Sequence, residues 1–180
     1  MGKRSDFGRI PKDKYRTFDP KAGRALAPHL SPGQRYWEPC AGARDLVDQI
    51  KGYGPECVLA SDIAPDCERV KKIDALTIKV STLNRCGATH IITNPPWSRP
   101  ILHQMIPHFA SMRPSWLLFD ADWAFTKQAA PFLPMLARVV AIGRLRFIPG
   151  TTMSGKDNCA WYLFDARHTG HTEFVGVNCQ

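Results

Sequence analysis

Short apolar runs separated by segments of helical period fill this chain from Tyr36 to Phe164. The runs are Tyr36-Trp37, Cys57-Val58-Leu59-Ala60, His90-Ile91-Ile92-Thr93, Trp116-Leu117-Leu118-Phe119, Val139-Val140-Ala141-Ile142 and Ala160-Trp161-Tyr162-Leu163-Phe164. Their length and near-continuous apolar character read as strands buried on both faces. Between them, Leu46, Val47 and Ile50 share one helical face, and Ile101, Leu102, Met105, Ile106 and Phe109 share another. Asp19-Pro20 supplies an N-cap and a first-turn proline for an earlier helix through about Leu30. Strands alternating with helices predict an open α/β sheet. No repeat, low-complexity stretch or linker divides the chain, so one domain over residues 19–180 is expected behind a basic arm of residues 1–18.

The third run ends abruptly at Asn94-Pro95-Pro96-Trp97. Neither proline donates a backbone hydrogen bond and each fixes φ, so the segment neither continues a central strand nor starts an ordinary helix. It presents a stiff turn with free carbonyls, an amide side chain and a large ring. An amino group on an aromatic ring can donate to the Asn94 oxygen and the Pro95 carbonyl while Trp97 stacks on its face. An extruded nucleobase such as adenine has that shape and chemistry. A strand-terminating turn with a packed Trp is the plainer alternative.

Other strand ends carry further polar groups. Tyr36-Trp37-Glu38-Pro39-Cys40-Ala41-Gly42-Ala43 runs from a strand into a small-residue turn and a helix, the first unit of an open α/β sheet. Such sheets bind cofactors outside the carboxyl ends of their strands. Ser61-Asp62 closes the second strand with an acid able to accept from a ribose diol, and Asp74 precedes a short helix-like stretch. A dinucleotide would require three glycines spaced G-x-G-x-x-G, and this loop offers only Gly42.

With these motifs in the order Gly42, Asp62, Asp74, Asn94, the chain resembles the class I S-adenosylmethionine (SAM)-dependent amino-methyltransferases. Within that family it is most similar to small adenine-N6 DNA methyltransferases of phages and prophages. The resemblance spans roughly residues 15–165. It implies a Rossmann-like, mostly parallel seven-stranded sheet with an antiparallel edge hairpin and helices on both faces. It also implies that Glu38, Cys40 and Gly42 form the SAM loop and that Asp62 with Ile63 holds the ribose side. Asp74 would face the cofactor adenine, Thr17 would lie in a cofactor-contacting segment, and Asn94, also a cofactor contact, would hold the target amine with Pro95, Pro96 and Trp97. One position departs from the family: Arg44 stands where its loop carries a second glycine, a residue suited to positive φ and close ligand approach. Arg44 either opens the helix or crowds the cofactor.

Charge adds a partner class. Residues 1–36 hold nine Lys/Arg against three Asp, residues 37–137 are balanced at ten each, and residues 138–180 hold five against three. A basic arm beside a cleft suits a phosphate backbone, and Lys12, Lys14, Arg16, Arg99, Arg146 and Lys156 are the candidate contacts. The Gly-, Ser- and Thr-rich stretch over residues 147–158 is expected to touch nucleic acid beside the target base, with an ordinary hairpin connection as the alternative. Asp120 and Asp122 either line the pocket or cap the next helix.

The six cysteines, irregularly spaced and without C-x-x-C, fit a reducing cytoplasm and argue against a zinc site, and no histidine cluster has metal spacing. No apolar run is long enough to span a membrane, and no signal peptide is evident. No separate target-recognition domain is found. Relaxed or short-context specificity is therefore expected, supplied by the arm, the 147–158 stretch, a dimer mate or a partner protein. DNA is the expected substrate. RNA, a protein glutamine, and a nucleic-acid binder that has lost SAM through Arg44 are the rivals.

Overall fold

The computed structural model describes residues 15–148, 150 and 154–177. Its strands are β1 (Arg35–Glu38), β2 (Glu56–Asp62), β3 (Lys71–Lys72), β4 (His90–Thr93), β5 (Ser115–Asp120), β6 (Leu136–Arg144), β7 (Asn158–Phe164) and β8 (Glu173–Val175). They form one sheet in the order β3-β2-β1-β4-β5-β7-β6-β8. Strands β1 to β5 run parallel to one another, β7 runs antiparallel between β5 and β6, and β8 pairs parallel with β6.

The expected parallel body and antiparallel hairpin are both present, but the sheet has eight strands and its hairpin is not the edge. Outside β6 lies β8, whose three residues carry no apolar run, and β3 is two exposed lysines. Short, charged edge strands discourage pairing with another chain, and they leave little hydrophobic signal to read.

Alternation along the central strands sends neighbouring side chains to opposite faces. Trp37, Ile91, Leu117, Phe119 and Tyr162 join one core, covered by α3 (Val80–Cys86) and α4 (Arg99–Met112). Tyr36, Ile92, Trp116, Leu118 and Trp161 join the other, covered by α1 (Lys21–Leu26) and α2 (Asp45–Lys51). Both faces are therefore dry, which explains why the strands read as continuous apolar runs.

Proline sets where the helices stop. The first helix ends at Leu26 and finishes as a 3-10 turn over Ala27–His29, where Pro28 lacks an N–H, short of the expected Leu30. Asp19 caps its start by accepting the Lys21 N–H at 3.1 Å. The β5–β6 connection is 3-10 throughout Lys127–Met135 because Pro131 and Pro134 each remove a helical donor. Among the described residues, no helix is long and apolar enough to cross a membrane.

A buried bond fixes α1 to the sheet: Trp161 Nε1 donates to the Ala22 carbonyl at 2.9 Å. Trp161→Phe keeps the ring but leaves that carbonyl unpaired. It is expected to lower the unfolding free energy by about 1–3 kcal/mol in urea denaturation.

Candidate functional site

The parallel strands deliver Glu38, Asp62, Thr93 and Asp120 to one edge of the sheet. A cavity of about 660 Å³ opens there. One half of its wall is Glu38, Cys40, Gly42, Asp62, Ile63 and Asp74; the other includes Tyr15, Thr17, Asn94, Pro96, Ile101 and Met105. Every residue expected to bind the cofactor thus lies on one cavity. Of the four turn residues, Asn94 and Pro96 line it, whereas Trp97 and the buried Pro95 are not part of the wall.

The loop after β1 is held by backbone bonds. Ala41 N–H donates to the Ser61 carbonyl at 2.9 Å, and Gly42 N–H to Asp62 Oδ2 at 3.0 Å. The second Asp62 oxygen accepts the Ala64 N–H at 2.8 Å. Each oxygen has further lone-pair capacity for a ligand. Asp74 Oδ1 accepts the Leu76 N–H at 3.0 Å and so starts the 3-10 turn Ala75–Thr77.

Arg44 takes up the glycine-like role that its position demands. Its φ of 74° and ψ of 12° are left-handed, and among the described residues it alone is a non-glycine with positive φ. That conformation costs about 1–2 kcal/mol for an L-residue. Its side chain does not contribute to the cavity wall, although Ala43 and Asp45 on either side do. The backbone therefore makes the tight turn without Arg44 crowding the cavity.

Glu38 is 1% exposed, and neither of its oxygens has a hydrogen-bond partner; the buried Thr93 hydroxyl is likewise unpaired. Burial pushes the Glu38 carboxyl up to about 8. The Asp62 charge acts in the same direction, while the Arg44 charge opposes it. Burial also raises the Cys40 thiol, which is thereby kept neutral. An unpaired buried carboxyl on a cavity wall is a group that awaits a donor.

The other half of the wall is built around the Asn94 amide. Its Nδ2 donates to Thr17 Oγ1 at 2.9 Å and to the Tyr15 carbonyl at 3.4 Å, and its Oδ1 accepts from Trp97 Nε1 at 3.0 Å. Phe147 meets both Trp97 and Tyr15 edge-on, with centroids 5.4 and 6.1 Å away.

The expected basic contacts are mostly engaged within the fold. Arg16 makes a two-pronged pair with Asp45 at 2.6 and 2.7 Å, and Arg99 meets Asp120 at 3.0 Å. Arg146 donates to Asp19 from its backbone and side chain at 3.1 and 3.4 Å and lies over Phe18. Lys156 sits just before β7, while Lys12 and Lys14 fall outside the described residues. Asp120 also caps the next turn by accepting the Asp122 N–H at 2.9 Å. The described residues contain no group of metal-ligating side chains.

The sequence reading missed Asp45, Ile101 and Met105 as wall residues. Ile101 was assigned to the sheet-packed face of α4, yet it is 40% exposed and lines the cavity. It occupies the first turn of that helix, beside the cavity, so periodicity alone could not separate it from Leu102. Asp45, directly behind the loop and opening α2, did carry a signal in its position.

No protein-family model matches the chain, and no curated protein does. Solved structures do. A "putative hemolysin" from Lactococcus lactis aligns with TM-score 0.60 at 11% identity, over 87% of this chain and 93% of that one. A "putative RNA methyltransferase" from Pyrococcus horikoshii aligns with TM-score 0.52 at 14% identity, over 91% and 92%. The modification subunit of a "putative type I restriction enzyme" from Vibrio vulnificus aligns with TM-score 0.55 at 10% identity, over 93% of this chain but 48% of that one. These likenesses, with the strand order above, show that the chain has the Rossmann-like α/β fold of these methyltransferase neighbours.

The sign of the Glu38 effect can be measured. A carboxyl raised in the fold favours folding most below its unfolded value and loses that advantage as pH rises toward about 8. Glu38→Gln is therefore expected to gain stability over the native chain progressively between pH 5 and pH 8.5. Urea denaturation of the unliganded proteins at both values checks it.

Proposed function

We propose that this protein is a SAM-dependent methyltransferase acting on the exocyclic N6 amine of adenine in DNA. The carrying observation is that Asn94, on a double-proline turn, shares one cavity with Glu38, Asp62 and Asp74. The donor set fits SAM. Asp62 has acceptor capacity for a ribose diol, Asp74 and Ile63 flank the place for an adenine ring, and unpaired Glu38 is available to an ammonium or a loop N–H. The open space over Gly42, where a Cβ would meet nothing within 4 Å, suits a ligand against the backbone. When bound, SAM supplies an electrophilic methyl group.

The chain's own residues prepare the nucleophile. Adenine N6 is weakly nucleophilic because its lone pair is delocalised into the ring. Asn94 Oδ1 accepts one amino hydrogen and the Pro95 carbonyl the other, drawing nitrogen toward tetrahedral geometry and localising that pair. No strong base is needed, because the surplus proton leaves to water once nitrogen is alkylated. Positioning and aimed dipoles provide the rate. The base reaches the cavity by extrusion from its stack, at a cost of a few kcal/mol.

DNA is favoured by the neighbours described as type I restriction modification proteins, the EcoKI M protein among them (TM-score 0.51, 9% identity). The Pyrococcus neighbour named as an RNA methyltransferase makes RNA the second reading.

Methyl transfer from radiolabelled SAM to unmethylated DNA, structured RNA and a protein extract tests the proposal. Label in DNA recovered as N6-methyladenine is expected. Label in RNA or protein instead would replace the substrate. Asn94→Ala should abolish transfer while leaving SAM affinity by calorimetry within a few-fold. Asp62→Ala should weaken SAM about ten- to a hundredfold, as loss of a charged hydrogen-bond partner does.

A further inference from the structure

We infer that Trp97 is a positioning residue for Asn94, acting through its indole N–H. The inference rests on the proposed amine transfer and assigns this residue's part in it.

A carboxamide has two N–H donors and two acceptor lone pairs. In Asn94 both donors point at acceptors, Thr17 Oγ1 and the Tyr15 carbonyl. One lone pair of Oδ1 is taken by Trp97 Nε1 at 3.0 Å. A single lone pair is left, and Asn94 lines the cavity. The amide can present only its oxygen there. Turning it over would set N–H against the indole N–H and oxygen against the Tyr15 carbonyl. The target is thereby restricted to a group that donates, such as the amine of adenine, and a base edge offering only a carbonyl is rejected.

Trp97 is placed for that duty. Its ring does not form part of the cavity wall, whereas Asn94, Pro96 and Ser98 around it do. It packs against the cores on both faces of the sheet and meets Phe147 edge-on at 86°. Among large aromatic side chains only Trp carries a ring N–H donor: Phe has none, and Tyr carries its hydroxyl at the ring tip.

The test combines steady-state kinetics with an observation that does not need turnover. Trp97→Phe keeps a flat ring able to stack but removes the donor. With unmethylated DNA as substrate, kcat should fall about tenfold or more, with the KM for DNA and the Kd for SAM within about threefold, as loss of orientation alone predicts. In ¹H–¹⁵N spectra of the wild-type protein, the Trp97 indole resonance is assigned from through-bond correlations. It should be protected from exchange and stay so when the same DNA is added. An unchanged kcat, or loss of indole protection on adding DNA, would overturn the positioning role while wild-type activity left the methyltransferase reading intact. A wild type that transfers no methyl to DNA overturns both. If the variant does not fold, indole protection in the wild type decides.

Discussion

The Asn94 amide is the junction on which the cavity depends. Its hydrogen bonds join the end of a central strand to Tyr15 and Thr17, nearly eighty residues earlier, and to Trp97 within its own turn. Two prolines behind it leave the turn little freedom to relax. The segment preceding α1 is thereby drawn across the carboxyl edge of the sheet, closing a cavity that strand ends alone would leave open. Asp19 adds a second tie through the backbone and side chain of Arg146.

Electrostatics at this edge follow one scheme. Acids gather at strand ends, where they meet the backbone N–H groups of the next loop: Asp62 with Gly42 and Ala64, Asp74 with Leu76, Asp120 with Asp122. Arginines close on several acids, as in Arg16 with Asp45 and Arg99 with Asp120. These pairs are partly exposed, so each adds little to stability. Their effect is to hold loops in place and to engage charge that would otherwise attract phosphate. Glu38 is the exception, buried and without a hydrogen-bond partner.

The strands from β1 to β7 were legible except for β3, because both faces of the sheet are covered and each inner strand must be apolar throughout. One half of the cavity wall was legible too, since Glu38, Gly42, Asp62 and Asp74 each sit at or just beyond a strand end and local chain order fixes their place. The edge strands were not. A pair of lysines and the segment Glu173-Phe174-Val175 become strands only through a neighbour's ladder of hydrogen bonds. Ile101 was misassigned for a related reason: its exposure depends on where the sheet ends and not on helical period.

By itself the sequence determined the α/β alternation, the order of the polar groups along the strand ends and the stiff turn at Asn94. These are consequences of local stereochemistry and of side-chain period. Tertiary structure alone decided how those groups are used. It turned Arg44 left-handed without filling the cavity, directed Arg16, Arg99 and Arg146 to internal acids, and set the Trp97 indole against the Asn94 oxygen. Each outcome depends on which distant atoms lie within hydrogen-bond reach, and spacing along the chain does not carry that information.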